Sequence, residues 1–268
     1  MGSFLDARSR GGGWLLRMED LDAPRVIPGC ADQMLRTLES FALHWDGAVE
    51  YQSTRTQHYA RAQQALTALG LTFQCSCSRR ERPEGGYPGT CRDGPRRRGP
   101  TATRFRVEDV VVSFQDRAQG VCRFQLRERG DVIIRRRDGA FAYQLAVVVD
   151  DALQGVTDVV RGADLLDSTP WQLALQGALR LPTPRYAHLP LVTETGGAKL
   201  AKSRRSVALD RTQAGRQLHE AFVLLGQDPP VTLKLESPRT VLEWACAHWS
   251  LDRFQGVRQV AAPPAGRC

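Results

Sequence analysis

Residues 141–162 read FAYQLAVVVDDALQGVTDVVRG, and this stretch decides the fold class. From Phe141 to Leu153 it is apolar with helical spacing, and Val156 to Val160 then reads as a strand that ends at Arg161. The same alternation continues outward. Phe4 to Arg8 reads as the tail of a helix closed by Gly11-Gly12-Gly13, and Trp14 to Met18 as a short buried strand with Glu19-Asp20 at its carboxyl edge. Ala31, Met34, Leu35, Leu38 and Phe41 follow helical spacing, as do Tyr59, Ala62, Leu66 and Leu69. Thr103–Val107, Cys122–Leu126 and Val132–Arg135 read as strands. Thr169-Pro170 opens a helix with proline in its first turn, Gln213–Leu225 continues as another, and Ser237-Pro238 caps a last one over Thr240–Trp249. The expected class is α/β.

Composition sets bounds. The chain has 268 residues, 42% of them apolar and 25% charged, an ordinary globular balance for one large domain or two small ones. Its longest aliphatic stretch, Leu145 to Val149, is far short of the ~20 residues of a membrane span. Asp6, Arg8 and Arg10 stand where a signal peptide would be apolar, and Asp6 also spoils a myristoylation signal, so the cytoplasm is the expected compartment.

The net charge of +8 is concentrated. Between Arg79 and Arg106 stand nine arginines against Glu81, Glu84 and Asp93. A solvated basic loop would account for this, but clustered guanidinium groups also suit phosphates. Lysine is rare: Lys199, Lys202 and Lys234 are three of 37 cationic residues. Two of them share Lys199-Leu200-Ala201-Lys202-Ser203, where a flexible point charge would follow a moving phosphate better than arginine does. Glu19 and Arg161 fall at strand ends, where α/β proteins bind ligands. There is no Walker-type phosphate loop.

An odd count of seven cysteines argues against a disulfide framework. Cys75, Cys77 and Cys91 supply three thiolates for a tetrahedral metal, with no histidine between them to complete it. Free buried cysteines would fit the spacing as well.

Taken together these segments resemble a known family. Arg17-Met18-Glu19-Asp20-Leu21-Asp22, Tyr143-Gln144-Leu145-Ala146 with Asp150-Asp151, Val159-Val160-Arg161-Gly162-Ala163-Asp164, Tyr186-Ala187-His188-Leu189-Pro190-Leu191 and Lys199 to Ser203 are similar, in that order, to elements of class I glutamyl-tRNA synthetases. The pattern Cys75, Cys77, Tyr87, Cys91 resembles the zinc site of one branch, the glutamyl-queuosine tRNA(Asp) synthetases, whose fourth ligand is tyrosine. The resemblance implies a Rossmann-like catalytic domain over 1–205, a zinc-binding basic insertion over 73–106 and a short helical region over 206–268, with no anticodon domain. It implies that Glu19 holds the ammonium of L-glutamate, that Tyr143 lines the pocket, and that Arg161 grips the side-chain carboxylate with its planar fork. Lys202, with Lys199, would follow ATP and its Mg2+. Cys75, Cys77, Tyr87 and Cys91 would hold one structural Zn2+, and the acceptor would be queuosine in tRNA(Asp). The chain is expected to be a monomer without membrane contact. In the family a first strand and an ATP signature loop precede the helix in which this sequence begins. That implies an N-terminally short chain with weak ATP binding, and it raises an alternative: a non-catalytic, zinc-containing tRNA-binding remnant.

Overall fold

The computed structural model describes residues 1–78, 81, 86–193 and 209–261. Helix α1 (Gly2–Arg8) leads to strand β1 (Arg17–Met18), then α2 (Cys30–Ser40), β2 (Glu50–Tyr51) and α3 (Thr56–Ala68). Strands β3 (Thr72–Cys75) and β4 (Ala102–Phe105) flank the cysteine-bearing insertion. The hairpin β5 (Val111–Asp116) and β6 (Gly120–Gln125), the turn of helix α4 (Leu126–Arg129) and β7 (Val132–Arg135) follow. Next come α5 (Tyr143–Leu153), β8 (Asp158–Gly162), α6 (Thr169–Leu179), β9 (Arg185–Leu189) and β10 (Leu191–Thr193). The chain closes with α7 (Ala214–Leu224), α8 (Pro238–His248) and β11 (Gln259–Ala261).

Helix α5 is apolar through Leu145 to Val149, more than one full turn, which marks a helix sunk in the core. Seven consecutive residues, Leu145 to Asp151, are buried, and this offsets the weak helix propensity of Val147-Val148-Val149. The one fully buried carboxylate on it, Asp150, is satisfied from three sides. It accepts from Gln52 Nε2 at 2.9 Å, Arg55 Nε at 2.8 Å and the Tyr59 hydroxyl at 2.7 Å. These bonds fasten α5 to α3. Around them Leu66, Phe105, Ile134, Leu145 and Leu175 form the larger core.

A four-stranded sheet runs β6-β5-β9-β8, with β8 and β9 parallel and β5 parallel to β9. An antiparallel sheet β3-β4-β7 carries the insertion, and β1 pairs in parallel with β2. The C-terminal helices share a second core with the N-terminal ones: Phe4, Leu5, Phe41 and Leu43 pack with Leu218, Phe222, Val241 and Leu242. Strand β11 pairs with β10. The helical region after residue 206 therefore leans on α1 and α2. As read from the sequence, α6 has Pro170 in its first turn, and the Ser237 hydroxyl caps α8 by accepting from the Thr240 N–H.

The strand expected over Trp14–Met18 pairs at Arg17 and Met18 alone, and Leu15 is 42% exposed instead of buried. One edge of β1 bonds β2; the other side faces a cleft. The expected strand Cys122–Leu126 runs from Gly120 to Gln125, and Leu126 turns inward to start α4. Strand β5 was not foreseen, although its alternating exposure is the mark of a half-covered sheet. No described helix is long and apolar enough to cross a membrane.

Candidate active site and metal centre

A cleft of about 1020 Å³ opens between β1 and β8, lined by Leu15, Glu19, Tyr143, Asp151, Val159 and Arg161 among others. It brings together all three residues expected to bind an amino acid. Lys199 and Lys202 lie outside the described residues.

Arg17 ties the β1 wall to α5. It pairs with Asp151 at 2.9 Å, donates to Gln154 Oε1 at 2.6 Å and approaches Glu19 at 3.6 Å. On the rim above it Glu19 is 42% exposed; partial burial raises its carboxyl above the ordinary range and Arg17 pulls it back. Asp151 shifts the same way for the same two reasons. Asp20 turns the other way and fixes the neighbouring crossover, accepting from the Ser53 N–H at 2.8 Å and its hydroxyl at 2.6 Å.

Arg161 is placed by register. It pairs with His188 across β8 and β9, near the carboxyl ends of both strands. Its Nε donates to His188 Nε2 at 3.0 Å. Its Nη2 donates to Thr169 Oγ1 at 2.9 Å and Gln172 Oε1 at 2.8 Å. Nη1 makes one long contact, 3.4 Å, with the Tyr143 hydroxyl. Burial raises the Tyr143 phenol and the Arg161 charge opposes it. Every described hydrogen bond of Arg161 goes to an uncharged acceptor, and its charge acts on the Asp151 carboxyl in the same cleft, lowering it against the effect of burial. The fork expected for this arginine is partly used up, because Nε and Nη2 are engaged within the protein. Sequence reasoning missed His188, Thr169, Gln172 and Asp116 as site residues. His188 stood inside a recognised segment, but nothing local ties it to Asp116, 72 residues away.

In the insertion the Sγ atoms of Cys75, Cys77 and Cys91 lie within 4.8 Å of one another. The Tyr87 hydroxyl joins them, 3.4 Å from Cys75 Sγ and 3.6 Å from Cys77 Sγ, with Cys77 and Cys91 sulfurs 3.5 Å apart. Tetrahedral zinc would space sulfur from oxygen by about 3.5 Å and sulfur from sulfur by about 3.8 Å, given its usual bond lengths. The donor set fits such an ion. Burial opposes ionisation of Cys91, but hydrogen bonds from Tyr87 and the backbone of Ser76 and Arg96 bring it down to about 6. The Arg104 guanidinium lies 3.8 Å from the centre of the Tyr87 ring, a cation over the face of a phenol. Gly130, at φ +70°, presses on the Tyr87 backbone from beneath. Among the described arginines of the basic segment, Arg104 and Arg92 turn inward; Arg92 grips Asp131 through two nitrogens at 2.6 and 2.8 Å. Arg96, Arg97 and Arg98 remain exposed.

A mixed sheet with a cation near its parallel strand ends, joined to an inserted cysteine cluster, has known counterparts. The catalytic-domain family described as "tRNA synthetases class I (E and Q)" matches residues 1–84 and 88–225. The chain is 52% identical over 264 residues to the glutamyl-Q tRNA(Asp) synthetase of Ectopseudomonas mendocina (strain ymp), covering 97% of this chain and 90% of that protein. It is 51% identical over 263 residues to that of Chromobacterium violaceum, covering 94% and 88%. Among solved structures it resembles the glutamate-tRNA synthetase of Elizabethkingia anophelis, with a TM-score of 0.79 at 19% identity. That match covers 98% of this chain and 64% of the other, and it speaks for the fold alone. The chain belongs to the class I tRNA synthetases of the glutamate and glutamine kind, in the branch of the glutamyl-Q tRNA(Asp) synthetases.

Proposed function

We propose that this protein activates L-glutamate with ATP and transfers it to queuosine in tRNA(Asp). The observation that carries the reading is Arg161, held near the end of β8 by neutral groups among the described residues, with Tyr143 beside it and Glu19 lining the same cleft. A cation so placed selects a carboxylate over an amide, and a carboxylate on the rim suits an ammonium group. Glutamate is the amino acid named in the relatives.

In this reading Lys202 and Lys199 meet the phosphates of ATP, supplied with Mg2+, and stabilise charge as the α-carboxylate of glutamate attacks the α-phosphorus in line. Pyrophosphate leaves and glutamyl-adenylate stays in the cleft. A queuosine hydroxyl then attacks the activated carbonyl and AMP departs. Cys75, Cys77, Cys91 and Tyr87 hold one Zn2+, whose part is structural because four protein ligands leave no open position. The exposed arginines 96–98 give the tRNA backbone a basic surface.

Pyrophosphate exchange by the purified protein tests this. Exchange that requires glutamate, is absent with glutamine and needs no tRNA is the expected result. Salt-sensitive tRNA binding with no exchange would overturn it in favour of a binding module.

A further inference from the structure

Three strands converge on one chain of hydrogen bonds. Asp116 is the last residue of β5 and is fully buried. Its Oδ1 accepts from the backbone N–H groups of Ala118, Gln119 and His188, at 2.9, 2.8 and 3.1 Å. Its Oδ2 lies 2.5 Å from His188 Nδ1. An ionised carboxylate can only accept, so Nδ1 carries the proton. Nε2 is then a lone pair, and Arg161 Nε–H points at it from 3.0 Å. Burial keeps His188 neutral, as does the Arg161 charge, against the pull of Asp116. A neutral imidazole with this tautomer is the state in which the contact to Arg161 is attractive.

We propose that Asp116 and His188 are positioning residues for amino-acid recognition. They turn the Nε edge of Arg161 into the protein, while Thr169 and Gln172 take Nη2. Nη1 is left beside the Tyr143 hydroxyl as the donor that meets the substrate. The glutamate carboxylate is then received end-on by Nη1 and Tyr143, and discrimination against glutamine depends on a histidine and an aspartate that never touch it. This rests on the reading of the cleft as a glutamate site.

The tautomer supplies the test. In Asp116→Asn the amide keeps an oxygen for the three backbone donors and presents N–H groups to His188. The proton moves to Nε2, which then opposes the Arg161 donor. Calorimetric titration of the full chain with glutamate and with glutamine is the measurement, the folded fraction being fixed by circular dichroism. Glutamate should bind about 10- to 100-fold more weakly in Asp116→Asn and in His188→Phe, with the preference over glutamine reduced. His188→Gln, which offers an amide oxygen to Arg161 and an amide N–H to Asp116, should recover most of the loss. A purely structural role would lower the folded fraction and leave both the affinity and the preference of the folded molecules unchanged; that result overturns the proposal. If the wild-type chain binds no glutamate, the underlying reading of the cleft fails instead.

Discussion

The cysteine cluster and the cleft that holds Arg161 are assembled over different lengths of chain. Cys75 ends β3; Cys77, Tyr87 and Cys91 follow in the segment between β3 and β4, and their donor atoms already stand at ligand spacing. Glu19, Tyr143 and Arg161 come from the end of β1, the start of α5 and the end of β8, and meet because the sheet register and the Arg17–Asp151 pair bring those elements together. A local site can be broken locally. A site made by register depends on side chains far from it, and its weak points lie in the bonds that join its walls.

Removing the metal should produce the largest effect, because binding energy at structural zinc sites is folding energy, about 10–16 kcal/mol in small fingers. Purified protein should hold one zinc per chain. Chelation, or Cys91→Ser, should abolish hydrogen-exchange protection across residues 86–105 while β8 and β9 keep theirs. Equal loss in both sheets would break the contrast between the two sites. Arg161→Ala should come next: glutamate-dependent exchange falls about 30- to 5,000-fold, the range for removing one partner of a buried charged pair. Zinc content stays at one. Arg161→Lys should also lose most activity, because a single ammonium cannot serve His188, Gln172 and the substrate together.

The same contrast decides what the sequence made legible. The helices at Tyr143–Leu153 and Pro238–His248 were readable because apolar period and capping residues are local signals. The cysteine cluster was readable for the same reason. Glu19 and Arg161 could be singled out as strand-end charges, but not the partners that aim Arg161. His188, Thr169 and Gln172 reach it from β9 and α6, and Asp116 acts from a strand that had gone unread. No spacing rule connects residues whose adjacency is created by sheet order. The weakness of β1 was equally invisible: Trp14–Met18 has the composition of a buried strand, but Leu15 lines the open cleft instead of a core.

A smaller effect should come from Gly130→Ala, which probes how closely the insertion is fitted. Its φ of +70° disfavours any side chain, and an added Cβ would collide with the backbone of Tyr87. The phenol should be displaced and zinc affinity should drop about 10- to 100-fold, as when a supporting residue behind a metal ligand is lost. Competition with a chromogenic chelator measures this. Glutamate binding should be unchanged, and a parallel loss there would mean that the two sites are coupled.

The smallest expected effect concerns the wall of the cleft formed by α1. This short helix is held against β8 by ion pairs. Arg10 and Arg117 reach Asp158 at 3.0 and 3.2 Å, Arg117 also pairs with Asp6 at 2.7 Å, and Arg185 meets Asp158 at 2.8 Å. Burial raises the Asp158 carboxyl, but hydrogen bonds from Arg185 and Arg10 outweigh it and hold the group at about 2, below its ordinary 3.8. Asp6 is depressed in the same direction, its burial outweighed by Arg117. A carboxylate whose value is lower in the folded protein than in the unfolded chain adds stability above the unfolded value. That contribution disappears as pH falls through the folded one. The cleft wall should therefore loosen between pH 3.8 and about 2, and salt should weaken it because Asp158 is partly exposed. Asp158→Asn should lower the melting temperature at neutral pH by about 2–5 °C and flatten the acid limb of stability. An unchanged acid limb in that variant would show that α1 is held by its apolar contacts, Phe4 and Leu5 in the second core, and not by these charges.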